Sequence, residues 1–317
     1  AGALRLAEGI QTVRPTVLLI GEHVPGELPA MFRSLPLSIA SAFVSAPSAS
    51  STLSPDALDP DAVALLQLTS GSTGRSKVVP ITHAMLMENC RASCQRAEVG
   101  SQDHMVSWLP LTHDMGFSGA LVHGLAADIE LTLIPTEVFA RSPLCLLEAI
   151  AGLRATLSPN PPTAYAVLAR LGGRARRECL DLSSWRYAWV GAEPGFASVL
   201  EHFENAMRPL GLSPNAIKPA YGMAEAVVAL TSSPAGQRWR ALHVQGQTLR
   251  SRGLVVLCEP DEPGAISLVS NGPPLDGVEL RVCDEGGVPM SEGRQGAIWV
   301  RGPSVARSYL HGEDTGS

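Results

Sequence analysis

The sequence has no long apolar run: charge, Gly or Pro interrupts every hydrophobic stretch well before the roughly 20 residues that a membrane-spanning helix needs. It also has no basic segment followed by an apolar stretch and a small-residue cleavage site, and it opens with AGALRLAEGIQ. An exported protein would be expected to carry such a leader. These absences predict a soluble, cytoplasmic protein with no membrane span, whose start has been cut.

Positive charge and cysteine are scarce as well. The chain has 24 Lys and Arg against 30 Asp and Glu, a net charge of −6, whereas a protein that follows a nucleic-acid backbone needs a basic stripe. The six cysteines form no CxxC pair and show no His/Cys ligand spacing. We therefore expect no nucleic-acid partner, no disulfide framework and no zinc site.

The residues that are present predict an α/β fold. With 45% hydrophobic and 17% charged residues in 317 positions, the chain can bury a sizeable core in about two units. A Ser/Pro/Asp-rich connector is expected at 45–61, and a helix at 83–97 that Thr82 can cap. Strands are predicted at 16–20, 64–69, 105–109, 129–134, 155–158 and 187–191.

Helical patterns separate most of these strands, which predicts βαβ crossovers and a largely parallel sheet over the first two-thirds of the chain. From about Ser232 the pattern changes to short β-like runs separated by Pro, Gly, Asp and Glu. A small, mostly antiparallel β unit resembling a barrel is expected there.

The segment TSGSTGRSK at 69–77 has the properties of a phosphate-binding loop. Its glycines let the backbone approach an anion, its hydroxyls and N–H groups donate hydrogen bonds, and Lys77 supplies positive charge. It is not a Walker A loop, because Arg75 and Ser76 separate the glycine from the lysine. A flexible Ser/Gly turn is the alternative that composition alone leaves open.

LTSGSTGRSK resembles the phosphate loop of the adenylate-forming superfamily, which contains acyl-CoA synthetases, nonribosomal-peptide adenylation domains, luciferases and fatty acyl-AMP ligases. WLPLTHDMG at 108–116, WVGAEP at 189–194 and AYGMAEA at 220–226 resemble the next motifs in order. VSNGPPLDGVELRVCD and GAIWVRGPSVARSYL resemble the segments that follow. HDMG and GAEP are most similar to the fatty acyl-AMP ligase branch.

The resemblance implies two stacked, mostly parallel βαβ subdomains and a small β-barrel-like subdomain, without the C-terminal lid. The first would cover 1–100 and carry the phosphate loop, and the second would cover 101–232 and carry the adenine and magnesium sites. The third would cover 233–317, with a candidate insertion at 237–260. The chain is thus expected to be a fragment of an N-terminal domain that binds ligands but has little activity alone.

The resemblance also implies the roles of individual residues in activating a carboxylic acid with ATP and Mg²⁺. Lys77 and His113 would act on the reacting phosphate and carboxylate, and Glu225 would bind Mg²⁺. The residues that would contact the nucleotide are Thr69, Ser70, Gly71, Ser72, Thr73, Gly74, Gly191, Ala192, Glu193, Pro194, Tyr221, Gly222 and Met223.

Several alternatives stay open at this level. In the fatty acyl-AMP branch, the acid is fatty or polyketide-like and the insertion is associated with transfer to an acyl carrier protein; an acyl-CoA synthetase is the nearest alternative. An amino-acid adenylation domain would need an acidic residue for the substrate ammonium, and Asp114 is the candidate, although it is equally suited to cap a helix. A nucleotide-binding or carrier-docking module without chemistry is the non-enzymatic alternative.

An apolar stripe after Gly116 also has two interpretations. It either lines an acyl tunnel or belongs to the core, and its residues are Phe117, Ala120 and Leu121.

Overall fold

A computed structural model describes residues 17–20, 38–41, 59–69 and 77–310 of the chain. The described residues belong to two compact units, one made of residues up to His83 together with 308–310, and the other of residues 84–307. The division at 83/84 differs from the expected boundary at 100/101. The three-part division of the sequence stays a prediction.

The first unit contains four described strands: β1 (Val17–Ile20), β2 (Ser38–Ser41), β3 (Val63–Leu68) and β4 (Val78–Thr82). β1 and β2 pair in parallel, whereas β3 and β4 form an antiparallel pair. The strands predicted at 16–20 and 64–69 are confirmed. Most of the predicted connector at 45–61 lies outside the described residues.

The second unit is built on a six-stranded sheet with the order β10-β9-β8-β7-β5-β6. Every neighbouring pair in it is parallel except β9 with β10. Its strands are β5 (His104–Ser107), β6 (Glu130–Leu133), β7 (Leu157–Asn160), β8 (Tyr187–Val190), β9 (Ile217–Tyr221) and β10 (Thr231–Ser232). This mostly parallel sheet confirms the predicted α/β class. β9 was not predicted.

Helices connect these strands as the βαβ pattern requires. They are α1 (His83–Arg96), α2 (Asp114–Gly116), a π-helix (Phe117–Val122), α3 (His123–Ala126), α4 (Thr136–Arg141), α5 (Leu144–Leu153), α6 (Pro162–Arg170), α7 (Gly172–Arg177) and α8 (Ala197–Met207). Short 3₁₀ turns follow at Arg208–Leu210 and Ala224–Ala226. None of the helices in the described ranges combines the length and apolar character that crossing a membrane requires.

Both faces of the sheet are covered, so alternate residues of β8 enter different clusters. Ala188 and Val190 belong to the larger core, whereas Tyr187 and the partly buried Trp189 pack into the smaller one. Burial on both sides explains why β8, with the sequence YAWV, is a continuous apolar run. The larger core contains Tyr165 of α6, with its ring centroid 4.7 Å from that of Phe203 in α8.

The last part of the second unit is β-rich, as expected. β11 (Ala241–Gln245) pairs with β12 (Ala265–Val269), and β13 (Glu279–Cys283) pairs with β14 (Ala297–Arg301), both antiparallel. α9 (Gly246–Arg252) follows β11. Among the described residues these strands form two separate antiparallel pairs. The barrel-like arrangement stays a prediction, since alternation specifies a half-buried strand and not how the sheets join.

Candidate functional site

Three of the predicted motifs follow strands of the parallel sheet, namely the neighbours β8 and β9 and, beyond the intervening β7, β5. The segment 108–116 begins after β5, 191–194 after β8, and Tyr221 is the last residue of β9. In parallel strands all carboxyl ends lie at the same edge, where α/β proteins bind ligands. Within the second unit, the sheet therefore gathers these segments along one edge although more than 100 residues separate the first from the last.

Gly191 is the point at which the three motifs meet. A Cβ atom added to Gly191 would lie 3.6 Å from the carbonyl oxygen of Ala220 and 3.9 Å from the methyl carbon of Met115. The loop after β8 thus lies close to both the HDMG segment and the segment that contains Tyr221. A small residue at this position keeps backbone accessible where a flat base is expected to lie.

The HDMG segment opens a short helix. His113 is the residue before α2, and its Nδ1 lies 2.7 Å from Oδ1 of Asp114. The backbone N–H of Met115 donates to the same carboxylate oxygen at 2.6 Å. The hydrogen bond to Asp114 raises the pKa of His113 above its ordinary value, against partial burial, which lowers it. With Nδ1 engaged, Nε2 is the nitrogen that can face a ligand.

The sequence left open whether Asp114 caps the helix, and the structure assigns the capping position to its neighbour. His113 occupies the capping position, and Asp114 is the first residue of the helix. The carboxylate of Asp114 is engaged by the imidazole and by the Met115 N–H. Gly116, the last residue of α2, leaves no room for a side chain, because a Cβ there would lie 2.3 Å from the carbonyl oxygen of Pro110, closer than atoms can approach.

The loop after β8 carries Gly191, Ala192, Glu193 and Pro194. Ala192 has a φ of +69°, in the left-handed region that non-glycine residues rarely occupy. The carboxylate of Glu193 accepts from the backbone N–H and the hydroxyl of Thr163, at 3.2 and 3.1 Å. The last three residues of the loop are exposed. The Glu193–Thr163 contact thus holds the loop in place while its surface stays accessible.

Tyr221, Met223 and Glu225 lie in and just after the end of β9. All three side chains are partly buried. Burial raises the pKa of Tyr221, and the negative charge of Glu225 raises it further. The ring of Tyr221 fits a flat base, and the carboxylate oxygens of Glu225 are the hard ligands that Mg²⁺ prefers. These residues fit the nucleotide and the ion that the sequence implied.

The backbone around Glu225 is unusually tight. A Cβ on Gly222 would lie 1.6 Å from the carbonyl oxygen of Val228, so only glycine fits there. Val227 is fully buried and has φ +68° and ψ −67°, and the N–H of Val228 donates to the carbonyl of Ala226 at 2.8 Å. These values describe a classic γ-turn, which is rare and strained for a β-branched residue.

The same edge contains polar and aromatic residues that sequence reasoning missed. The indole N–H of Trp108 donates to Oδ1 of Asn160 at 2.7 Å, and the Trp108 ring stacks on Phe139 with centroids 3.7 Å apart. Asn160 is fully buried, and its backbone carbonyl accepts from the N–H of Gly191. A strand that ends in a buried Asn was the available signal. The buried Asn89 was also missed.

Of the predicted phosphate loop, the structure describes only the two ends, Thr69 and Lys77. The N–H of Thr69 donates to the carbonyl of Lys77 at 2.9 Å, directly after the β3–β4 register pair of Leu68 with Val78. The ammonium of Lys77 lies 4.4 Å from the ring centroid of Tyr309. The other predicted loop residues lie outside the described residues, namely Ser70, Gly71, Ser72, Thr73 and Gly74.

The start of the candidate insertion at 237–260 is anchored to the second unit. Lys218 of β9 donates to the carbonyl of Gln237 at 2.5 Å, and Arg238 donates to the buried carboxylate of Glu204 at 2.9 Å. The indole of Trp239 is 8% exposed and belongs to the main core. The segment then continues into β11 and α9. It is thus packed, at least at its start, as part of this unit.

Comparison with known protein families adds the decisive observation. The profile of the family described as AMP-binding enzyme matches residues 22–310, nearly the whole chain. The chain belongs to this family. The adenylate-forming resemblance expected from the motifs is confirmed.

Several relatives of the chain are named as fatty-acid ligases. The chain is 33% identical over 309 residues to the medium-chain-fatty-acid acyl-carrier-protein ligase TtuA of Teredinibacter turnerae, with 97% of this chain and 46% of TtuA covered. It is 31% identical over 268 residues to the long-chain-fatty-acid AMP ligase FadD32 of Mycolicibacterium smegmatis, with 82% of this chain and 42% of FadD32 covered.

A solved structure agrees with the fold. The fatty acyl-adenylate ligase from L. pneumophila, in complex with acyl adenylate and pyrophosphate, superposes with a TM-score of 0.85 at 28% identity, covering 97% of this chain and 54% of that protein. The chain thus has the fold of the N-terminal part of an adenylate-forming enzyme. It spans about half the length of the curated relatives it matches.

Proposed function

We propose that the protein to which this chain belongs activates a carboxylic acid with ATP, forming an acyl-adenylate and releasing pyrophosphate. The observation that carries the proposal is the position of Gly191, which lies close both to Met115 of the HDMG segment and to Ala220 beside Tyr221. The chain that contains these segments matches the AMP-binding family. Segments so distant in sequence meet at a sheet edge where such folds bind ligands.

The described residues have distinct tasks in this proposal. Tyr221 stacks on the adenine, and the loop of Gly191, Ala192, Glu193 and Pro194 forms the opposite wall. His113 donates from Nε2 to the α-phosphate or to the acyl carboxylate, and its raised pKa favours the protonated form that binds anions. Gly222 and Met223 shape the backbone beside the base.

The phosphate loop holds the leaving pyrophosphate in the proposal. The residues from Thr69 to Gly74 are proposed to donate hydrogen bonds to the leaving phosphates, and Lys77 to neutralise negative charge as these phosphates depart. Mg²⁺, when bound by Glu225, would offset the phosphate charge. No large carboxylate cluster is needed for this ion, since Mg²⁺ commonly uses one or two carboxylates together with substrate phosphates.

The proposed substrate is a fatty or polyketide-like acid, and the proposed acceptor is the phosphopantetheine thiol of an acyl carrier protein. Two relatives support this class by name, TtuA as a fatty-acid ligase for a carrier protein and FadD32 as a fatty-acid AMP ligase. Phe117 and Leu121 of the π-helix are only partly buried and are proposed to face the acyl chain. The carboxylate of Asp114 is occupied by His113 and Met115, which disfavours its use for a substrate ammonium.

Calorimetric titration with acyl-sulfamoyl adenosines tests the adenylate site on this chain. Each analogue replaces the acyl-phosphate by a stable sulfamoyl group, so binding is measured without turnover. We expect affinity to increase with acyl length and to exceed that for AMP and for an aminoacyl analogue. Tyr221→Ala should weaken binding at least about tenfold through lost stacking, whereas Tyr221→Phe, which keeps the ring, should retain most of the affinity.

Each outcome bears on a different part of the proposal. Wild-type chain that binds no analogue would contradict the adenylate site. Preference for the aminoacyl analogue would favour an amino-acid adenylation domain over a fatty-acid enzyme. For the acceptor, the full-length protein should transfer acyl groups to a carrier protein and poorly to free CoA; efficient transfer to CoA would replace the carrier-protein proposal by an acyl-CoA synthetase.

A further inference from the structure

Asn89 in α1 is a buried amide that the sequence motifs do not include. It is 1% exposed. Its Nδ2 donates to the carbonyl of Ala229 at 2.7 Å and to that of Ala226 at 3.1 Å, and its Oδ1 accepts from the N–H of Ala229 at 3.3 Å. Ser304 Oγ lies 3.3 Å from the same nitrogen. One side chain thus satisfies three backbone groups about 140 positions away in the sequence.

The groups that Asn89 binds lie on either side of the strained turn. Ala226 and Ala229 flank Val227, whose positive φ costs free energy. A turn of this kind persists only when its surroundings enforce it. The carbonyl of Ala226 already accepts from the N–H of Val228 within the turn, and Asn89 gives it a second donor. The amide of Asn89 supplies donors to both flanking carbonyls and so stabilises the turn against relaxation to an ordinary backbone conformation.

The γ-turn at Val227 constrains two of the proposed ligand-binding residues, Gly222 and Glu225. The carbonyl of Val228 lies against Gly222 so closely that no side chain fits between them. Glu225 directly precedes Ala226, the first residue of the γ-turn, and the carbonyl of Glu225 accepts from the N–H of Ala306 at 2.7 Å. Any shift of the backbone at Val228 would therefore be transmitted to Gly222 and Glu225.

From these contacts we infer that Asn89 is a positioning residue for the adenylate site. By donating to the carbonyls of Ala226 and Ala229, it holds the γ-turn at Val227, and through that turn it fixes Gly222 and Glu225. It touches neither nucleotide nor acid in this scheme. The inference rests on the proposed adenylate function, and its test separates the failure of one from the failure of the other.

The test compares variants of the full chain by calorimetric titration with one acyl-sulfamoyl adenosine and by amide hydrogen exchange. Asn89→Leu keeps the approximate volume but removes both donors, so affinity should fall by about tenfold or more. Exchange in the peptide that covers 222–229 should become faster. Asn89→Ser retains one hydroxyl and provides the milder variant if the Leu variant does not fold.

Arg96→Met is the matched control because Arg96 lies on the same helix and also donates to backbone carbonyls, those of Ser232, Pro273 and Pro274. It does not contact the turn at Val227. We expect Arg96→Met to leave exchange in 222–229 as in the wild type and to weaken analogue binding less than about threefold, as for a site without shared partners.

Asn89→Asp adds a pH readout that a general loss of stability would not produce. The introduced carboxylate faces the Ala226 and Ala229 carbonyls and the Ser304 hydroxyl, with Cys90 and Ser93 next on the helix. Protonation of this carboxylate restores one donor, so the binding affinity of the variant relative to the wild type should recover as the pH falls from 8 to 5.5. Buried carboxyl groups titrate in this range, because burial can raise their pKa by up to about 3–5 units. Asn89→Leu should show no such recovery.

The outcomes are distinct. Wild-type chain that binds no analogue overturns the adenylate proposal and with it this role of Asn89. Wild-type binding together with unaltered affinity and unaltered exchange in the Asn89 variants overturns only the positioning role. Equal losses in Asn89→Leu and Arg96→Met also overturn it, because they would indicate general destabilisation. Selective loss in the Asn89 variants, with recovery of Asn89→Asp at low pH, supports it.

Discussion

The indole N–H of Trp108 donates to the side-chain oxygen of Asn160 at 2.7 Å and thereby joins the segment after β5 to the end of β7. The two strands are neighbours in the parallel sheet. Nδ2 of Asn160 donates in turn to the hydroxyl of Ser158 at 3.1 Å. A buried polar chain thus crosses the edge at which the proposed site lies, between the HDMG segment and the loop of Gly191.

Replacing Trp108 by Phe should lower the free energy of unfolding by about 1–3 kcal/mol, because the buried oxygen of Asn160 would lose its donor. The Phe ring can still stack on Phe139, so the loss is attributable mainly to the hydrogen bond. Urea denaturation followed by circular dichroism measures the change. A variant as stable as the wild type would show that water or another donor replaces the indole.

Gly222→Ala should abolish analogue binding or weaken it more than about tenfold, since overpacking of this kind costs about 1–3 kcal/mol or more. The added methyl would overlap the carbonyl of Val228 and displace the backbone next to Tyr221. Gly152→Ala is the control: it lies in α5, and no atom lies within 4 Å of the added Cβ. This control should bind normally and gain about 0.5–1 kcal/mol of stability. Normal binding by Gly222→Ala would contradict the geometry at β9.

His113 should titrate above its ordinary pKa of 6.5, because Asp114 stabilises the imidazolium. A raised folded-state pKa means that the stabilisation is fully present below the unfolded pKa and is lost as pH rises through the folded pKa. NMR titration of the imidazole C–H signals in wild type and Asp114→Asn measures it, and the variant should show the lower value. The pH at which analogue binding weakens should move down with it. Identical titrations would exclude the ion pair as the cause.

Lys218 provides a test at alkaline pH. Its side chain is fully buried, and burial, followed by the charge of Arg186, lowers its pKa to about 8. Between about pH 8 and 10.4 the unfolded chain retains a proton that the folded chain has lost, so stability should rise with pH across this window. Urea unfolding at several pH values should show this contribution in the wild type and not in Lys218→Met. Equal slopes would mean that the amine keeps its ordinary pKa.

The elements that sequence patterns predicted are those in which local pattern and burial agree. The strands at 105–109 and 187–191 and the helix at 83–97 were predicted within a few residues. β9 was missed because Lys218 and Pro219 lie in its middle. Lysine is rarely buried and proline rarely belongs to an inner strand, but here the ammonium donates to the carbonyls of Pro234 and Gln237.

Some residues of the candidate site could likewise be predicted from the sequence, and others could not. Tyr221 and Glu225 were identified through a motif, and their placement near the end of β9 follows from chain order. The contacts of Asn89 with Ala226 and Ala229 had no signal in the sequence, because such pairs are set by how α1 packs. Nor does any local rule predict a positive φ at Val227, since propensity there opposes the observed conformation.

The hydrogen bond between Thr69 and Lys77 joins the two ends of the predicted phosphate loop. β3–β4 pairing closes the base of this loop, so contacts of the flanking strands hold its two ends together. Even doubling the length of the loop adds only about 0.6 kcal/mol to the closure cost. Chain closure therefore sets only a weak limit on the number of residues that connect β3 to β4.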